Sequence, residues 1–200
     1  VIVGTRYRKT PVFSARMTYL EFAPYWTVPP TILREDKLPK IKRNPAYLEE
    51  KHFRILSRQE KGAFVDTEGI DWGTVEAETF PGLLRMEPGP WNPLGSVKFM
   101  FPNRHNIYLH DTPSKNLFSR EVRAYSHGCI RLGDPFDFAY ALLAKQSKDP
   151  VGEFQSHLRT RSETVIPLKE TVPVHITYRT AYTEAKKRTQ YRRDIYGRDA

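Results

Sequence analysis

Two hundred residues suffice for one domain with a substantial hydrophobic core, or one domain carrying an insertion. A hydrophobic content of 39% with 12% aromatics excludes a disordered chain, and the interrupted apolar stretches are too short to span a bilayer. The net charge of +9 favours an anionic partner (nucleic acid, anionic lipid head groups or an acidic cell-surface polymer) or else marks a solvated basic surface.

In chain order, residues 1–4 read as a strand running into a turn at 5–9. There is no signal segment and no initiator Met, so the chain reads as a mature or excised piece of a longer protein. Residues 12–22 alternate and are rich in β-branched and aromatic side chains, which predicts a strand. Residues 23–93 differ, with prolines at 24, 29, 30, 39, 45, 81, 88, 90 and 93, a helical piece at 45–52, and strand-like pieces at 52–57 and 62–66. Segments this long inside a compact domain are commonly lids or binding elements, and Trp26, Tyr47, Phe53, Phe64 and Trp72 favour an ordered one.

Beyond Gly95 the pattern tightens. Val97, Phe99 and Phe101 alternate, Pro102-Asn103 turns, and 107–109 forms a short strand ending at His110. Asp134 as N-cap and Pro135 at the first helical position open a helix that buries Phe136, Ala139, Leu142 and Leu143. A second helical piece follows at 152–158, and Val172, Val174, Ile176 and Tyr178 alternate as a closing strand. This is a mainly β chain with a few helices, an α+β fold, ending in a basic tail (186–200) with Lys186-Lys187-Arg188 and Arg192-Arg193 as a peripheral arm.

The chemistry concentrates at Cys129, the single cysteine, within Ser126-His127-Gly128-Cys129-Ile130-Arg131. One cysteine forms no intrachain disulfide, so it leaves the compartment open. A thiol near its ordinary pKa of roughly 8.5 is mostly protonated at neutral pH and needs a base or a cation beside it. If the segment is strand-like, His127 shares a face with Cys129, yet close neighbours align poorly for proton transfer. His110, at a strand end, can approach from an adjacent strand and is the better base. Gly128 leaves the backbone free to turn the N–H groups of Gly128 and Cys129 towards an oxyanion. Asp111, Ser126 or a backbone carbonyl can orient the His110 ring. The competing readings are an inert buried thiol, a satisfied core histidine at 110, a surface His127, and zinc held by His110, His127 and Cys129 without a familiar ligand spacing.

The run Ile107-Tyr108-Leu109-His110-Asp111-Thr112 followed by Ser126-His127-Gly128-Cys129-Ile130-Arg131 resembles the signature of the L,D-transpeptidases, the YkuD-type catalytic domain. That signature is a histidine, a gap, then Ser/Thr-His-Gly-Cys, an apolar residue and Asn or Arg; here the gap is residues 111–125. Tyr19-Leu20-Glu21-Phe22, Pro24-Tyr25-Trp26, Asn92-Pro93-Leu94-Gly95, Val97-Lys98-Phe99-Met100-Phe101 and Asp194-Ile195-Tyr196-Gly197-Arg198-Asp199 extend the likeness to the large Gram-negative branch.

The resemblance implies a β-sandwich-like catalytic domain over 1–185 with a substrate-capping insertion at about 40–90. It also implies a periplasmic location, with membrane anchor and peptidoglycan-binding domain outside this chain. Cys129 then attacks a donor tetrapeptide stem, releases D-Ala and forms a thioester, which the diaminopimelate amine of an acceptor stem resolves into a 3-3 cross-link. His110 is general base and acid, while the backbone of His127, Gly128 and Cys129 lines the oxyanion hole. Arg131 pairs a stem carboxylate or supports the loop, Tyr108 and Trp26 form pocket walls, and Ser126 contacts substrate. No metal or organic cofactor is implied, and carbapenems are expected covalent inhibitors.

Two alternatives stand beside this reading. Water in place of the amine makes the protein an L,D-carboxypeptidase or endopeptidase. A non-catalytic module for anionic polymer is the other, although no nucleic-acid motif appears. A low-pKa thiol argues for the enzyme and an inert one for the module.

Overall fold

In the computed structural model, which describes residues 1–183, 185 and 188–199, the strand expected at 12–22 forms as β2 (Phe13–Phe22). It lies inside a five-stranded sheet with β10 (Thr164–Ile176) on one side and β6 (Val97–Met100), β7 (Leu109–His110) and β9 (Ile130–Arg131) in succession on the other. The pairs are antiparallel except β7–β9, which is parallel.

Registers Leu20↔Phe99, Phe99↔Leu109 and Leu109↔Ile130 carry one row of side chains into the core. Because side chains alternate across a strand, the next row, Glu21, Lys98, His110 and Arg131, projects from the opposite face. β2 changes parity partway: Phe13, Ala15 and Met17 pack on the core, then Leu20 and Phe22. The slip coincides with the irregular register in β10 between Pro167, opposite Tyr19, and Val172, opposite Met17.

The core face is covered by helices α4 (Pro135–Leu143) and α5 (Pro150–Arg159), which bury Ala139, Leu142, Leu143 and Phe154 against Phe22 and Phe99. Asp149 caps α5 by accepting from the Gly152 N–H at 2.8 Å. Asp134, the expected N-cap of α4, makes no such bond, so Pro135 alone signals that start. The closing strand is longer than expected; it begins at Thr164 and ends before Tyr178.

Residues 26–86 build a second layer. β3 (Trp26–Thr27), β4 (Phe53–Ser57) and β5 (Gly82–Met86) form an antiparallel sheet in the order β3-β5-β4. Beside it, α1 (Pro30–Ile32) continues through a π-type turn (Leu33–Lys37) into α2 (Leu38–Arg43), with α3 (Tyr47–Glu50) following. Their apolar sides, with Ile41, Ile55, Leu84, Trp72 and Phe80, form a hydrophobic cluster distinct from that of the main sheet. The strand expected at 62–66 reduces to one bridge, Leu56↔Phe64.

At the ends of the chain, β1 (Val3–Gly4) pairs in parallel with β8 (Ala124–Ser126), and β11 (Ala181–Tyr182) pairs with β12 (Gln190–Tyr191). Of the basic tail, Arg188, Arg192 and Arg193 are exposed, whereas Lys186 and Lys187 lie outside the described residues. Tyr196 is buried, so the final segment folds back on the domain. No described helix is long and apolar enough to cross a membrane.

Candidate active site

The polar face of the main sheet assembles the candidate residues. Tyr108 and His110, two apart in the β7 segment, share that face, and their rings meet edge-on with centroids 5.7 Å apart. The Ile130 N–H bonds the Tyr108 carbonyl at 3.1 Å, which sets Cys129 alongside Tyr108 and Arg131 alongside His110. Tyr108 pulls the Cys129 thiol pKa down through its backbone and its hydroxyl.

His110 is 4% exposed. Its Nδ1 lies 2.5 Å from the Asp111 carbonyl oxygen, which only accepts, so Nδ1 carries the ring proton and Nε2 the lone pair. Burial, reinforced by the nearby Arg131 and Lys98 charges, brings its pKa down to about 4 in spite of the Asp111 bond. The imidazole is therefore neutral at pH 7. Among the orienting groups the sequence offers, the backbone carbonyl does the work. The Asp111 carboxylate instead accepts from Ser96 N–H at 2.9 Å and Lys115 Nζ at 2.8 Å.

Burial pushes the Cys129 thiol up, against the opposing pull of Tyr108, Lys98 and Arg131. The low-pKa thiol taken above as the mark of an enzyme is not what this pocket makes. The S–H instead donates to the Asn106 carbonyl, 3.7 Å away. That carbonyl is presented by a turn in which Asn106 adopts φ +53° and Asn103 Oδ1 accepts from the His105 and Ile107 N–H groups. Among the described residues, Sγ makes no hydrogen bond to His110; Cys129 ends the bend that leads into β9, the strand beside the one that carries His110.

Residues 127–129 form a bend and not a strand, so the expectation that His127 shares a face with Cys129 fails. His127 is exposed, with a pKa lowered by partial burial and then by Arg8 and Arg131. Gly128 has φ +122°, a conformation that side chains rarely adopt, and a Cβ there would press on Ile107 Cδ1 at 3.2 Å. Its N–H donates to Ser126 Oγ at 3.0 Å and so is not free to stabilise an oxyanion, which corrects the expectation for that group. Ser126, expected to touch substrate, is 2% exposed, and its hydroxyl donates to the Cys129 carbonyl at 2.5 Å. It braces the loop from within. The Cys129 N–H makes no hydrogen bond among the described residues and remains available.

Arg131 is tied through its backbone to Ile2, whose N–H and carbonyl bond it at 3.0 and 2.9 Å. Its Nε is buried without a partner among the described residues, and no described carboxylate pairs with its guanidinium. A cation so placed beside His110 and Cys129 suits a substrate carboxylate. A cavity of about 450 Å³, whose lining includes neither Cys129 nor His110, is walled by Tyr108, Tyr19 and Lys98 from the main sheet and by Trp26, Thr27 and Arg85 from the second. Tyr108 and Trp26 therefore both line it.

Sequence reading missed several of its polar groups. Lys98 donates to both Glu21 oxygens at 3.0 and 2.9 Å, and Arg85 pairs with Glu163 at 3.1 Å. Burial raises the Glu21 pKa even so, with Glu163 adding to the shift. The available signal was alternation: Lys98 interrupts Val97, Phe99 and Phe101 on the face that the apolar residues do not use. Among the described residues no group of three or more His, Cys, Asp or Glu is placed to hold a metal ion.

Comparison with known proteins bears on this arrangement. Residues 1–176 match the profile of YkuD, the L,D-transpeptidase catalytic domain. A Haemophilus influenzae protein that carries the provisional name L,D-transpeptidase is 36% identical over 199 residues, covering 100% of this chain. The chain spans 40% of the length of that relative.

Proposed function

This chain belongs to the YkuD family of L,D-transpeptidase catalytic domains, and on that footing we propose that it transfers an acyl group between peptidoglycan stem peptides through Cys129. The supporting observation is the neutral His110, with Nδ1–H on the Asp111 carbonyl and Nε2 left with its lone pair, on the strand beside the segment that carries the thiol.

In this reading the donor is a tetrapeptide stem. As Cys129 Sγ attacks the carbonyl between the L-centre of meso-diaminopimelate and the terminal D-Ala, its proton passes to His110 Nε2. The C–N bond then breaks, His110 returns the proton to the leaving amine, and D-Ala departs from the thioester. An acceptor amine attacks next, giving up a proton to His110, and expulsion of the protonated sulfur leaves a 3-3 amide. The Cys129 N–H stabilises the tetrahedral oxyanion, with His127 N–H as second donor. Arg131 holds a stem carboxylate. Trp26 and the second layer cap the bound stem, and the reaction takes place in the periplasm.

That Cys129 and His110 make no hydrogen bond to each other is compatible with this order of events. Catalytic hydrogen bonds often tighten only when substrate is bound. Substrate bound over Cys129 displaces the thiol from the Asn106 carbonyl and turns it towards His110.

The test is a mass-resolved reaction with disaccharide-tetrapeptide muropeptides. The native chain yields 3-3 dimers and free D-Ala, and Cys129→Ala yields neither. Tripeptide without dimer assigns water as the acceptor, and cross-links formed by Cys129→Ala refute the nucleophile.

A further inference from the structure

The segment Asp194-Ile195-Tyr196-Gly197-Arg198-Asp199 plays no part in the reaction as described, yet it is built into the domain. Tyr196 is 3% exposed. Its hydroxyl donates to the Gly4 carbonyl at 2.7 Å and accepts from the Thr10 N–H at 3.3 Å, closing the two ends of the 4–10 loop. The closure is tight: a Cβ on Gly4 would sit 2.0 Å from the Arg8 carbonyl oxygen. Asp194 shapes the turn behind Tyr196, its carboxylate accepting from the Tyr178 hydroxyl at 2.6 Å and the Asp199 N–H at 3.0 Å. Lys9 Nζ adds a bond to the Tyr196 carbonyl at 2.6 Å.

Thr10 carries the chain of bonds into the cysteine loop. Its hydroxyl accepts from the Gly4 N–H at 2.9 Å and donates its single proton to the Gly128 carbonyl at 2.8 Å. The Gly128 carbonyl and the Cys129 N–H belong to one trans peptide plane and point in opposite directions. Fixing the carbonyl therefore fixes the N–H. This constraint matters at Gly128 because glycine resists rotation of that plane less than any other residue. Ser126 occupies the Gly128 N–H, so Cys129 supplies the free donor.

We infer that Thr10 and Tyr196 are positioning residues for acyl transfer. The Thr10 hydroxyl sets the plane of the Gly128–Cys129 peptide so that the Cys129 N–H faces the developing oxyanion, and Tyr196 holds Thr10 in register. The inference rests on the acyl-enzyme reading above. Neither side chain touches a reacting atom.

The test uses Thr10→Val, Thr10→Ser and Tyr196→Phe in the 200-residue chain, with two rates measured for each. One is acylation of Cys129 by a carbapenem, followed by mass. The other is alkylation by iodoacetamide, a displacement at saturated carbon that generates no carbonyl oxyanion. Removing an oxyanion donor outright costs about 10²–10³ in rate, so misdirecting one in Thr10→Val slows acylation by roughly 10–100-fold. Alkylation changes by less than about twofold, since the thiol and its neighbours are untouched. Thr10→Ser retains the hydroxyl and acylates like the native chain, while Tyr196→Phe shows a smaller loss of the same kind.

Equal losses in both rates, or losses that follow a lowered melting temperature, reduce Thr10 to a folding role and overturn the inference. So does unchanged acylation in Thr10→Val. If Thr10→Val does not fold, Tyr196→Phe is judged by the same two rates. A native chain that is alkylated but never acylated, by carbapenem or by tetrapeptide, overturns the acyl-enzyme reading and this inference together, and is recognised without any variant.

Discussion

The Cys129 thiol donates to the backbone carbonyl of Asn106 at 3.7 Å, while His110 turns its own N–H away towards Asp111. A thiol that donates is protonated, and a buried imidazole with a depressed pKa is neutral, so the resting pair is uncharged and not a thiolate–imidazolium pair. Iodoacetamide alkylation is expected to rise with pH through a midpoint above the roughly 8.5 of a free cysteine. A midpoint below neutrality would overturn the uncharged pair.

His110 sets the acid limit of activity. As the base it must be unprotonated, and its pKa of about 4 keeps it so at pH 5, where an ordinary histidine is largely protonated. The acid limb of kcat/KM is therefore expected near pH 4 instead of 6.5. His110→Ala lowers acylation by about 10²–10⁴ and His127→Ala far less, because only the backbone of His127 is used. An acid limb near 6.5 that disappears in His127→Ala reverses the two roles. The same shift lowers stability on acidification. Between about 4 and 6.5 the unfolded chain binds the His110 proton and the folded chain does not, so the urea midpoint falls across that window.

Much of this arrangement was legible in the sequence because it follows from local pattern. Alternation revealed β2 and β6, and the order of His110 and Cys129 pointed to the candidate site. What was missed depends on contacts between distant segments. Pro30 and Pro39 disguised the helical run from 30 to 43, yet Pro30 sits at a first helical position, and the π-type turn at Leu33–Lys37 adjoins Pro39, which has no N–H to give. The resemblance implied Ser126 as a substrate contact, but its hydroxyl is enclosed by Gly128 and Cys129. Thr10 carries no local signal, and Tyr196 only the family likeness of its segment, since their role exists only where both ends of the chain meet the cysteine loop.

Gly95 links the second layer to the base. It holds φ +62°, and a Cβ there would lie 2.3 Å from an Asp111 carboxylate oxygen. Gly95→Ala both strains the backbone, at about 1–3 kcal/mol, and displaces Asp111, whose carbonyl orients His110. Urea denaturation is expected to show that loss, with a fall in acylation beyond the loss of folded protein. An unchanged denaturation midpoint would mean that the position tolerates a side chain.

The Glu21–Lys98 pair lines the cavity with both side chains 12% exposed. Lys98→Met leaves the Glu21 carboxylate buried without its cation, which at neutral pH costs about 3–5 kcal/mol unless the carboxyl takes up a proton. Burial already raises the Glu21 pKa while Lys98 opposes it, so removing Lys98 raises it further. The penalty is therefore present above that raised pKa and shrinks as acid protonates Glu21. Denaturation of Lys98→Met at several pH values is expected to converge on the native curve at low pH, and Glu21→Gln in the same background recovers most of the loss at pH 7. A deficit independent of pH and unrelieved by Glu21→Gln would assign Lys98 a packing role along its methylene chain instead.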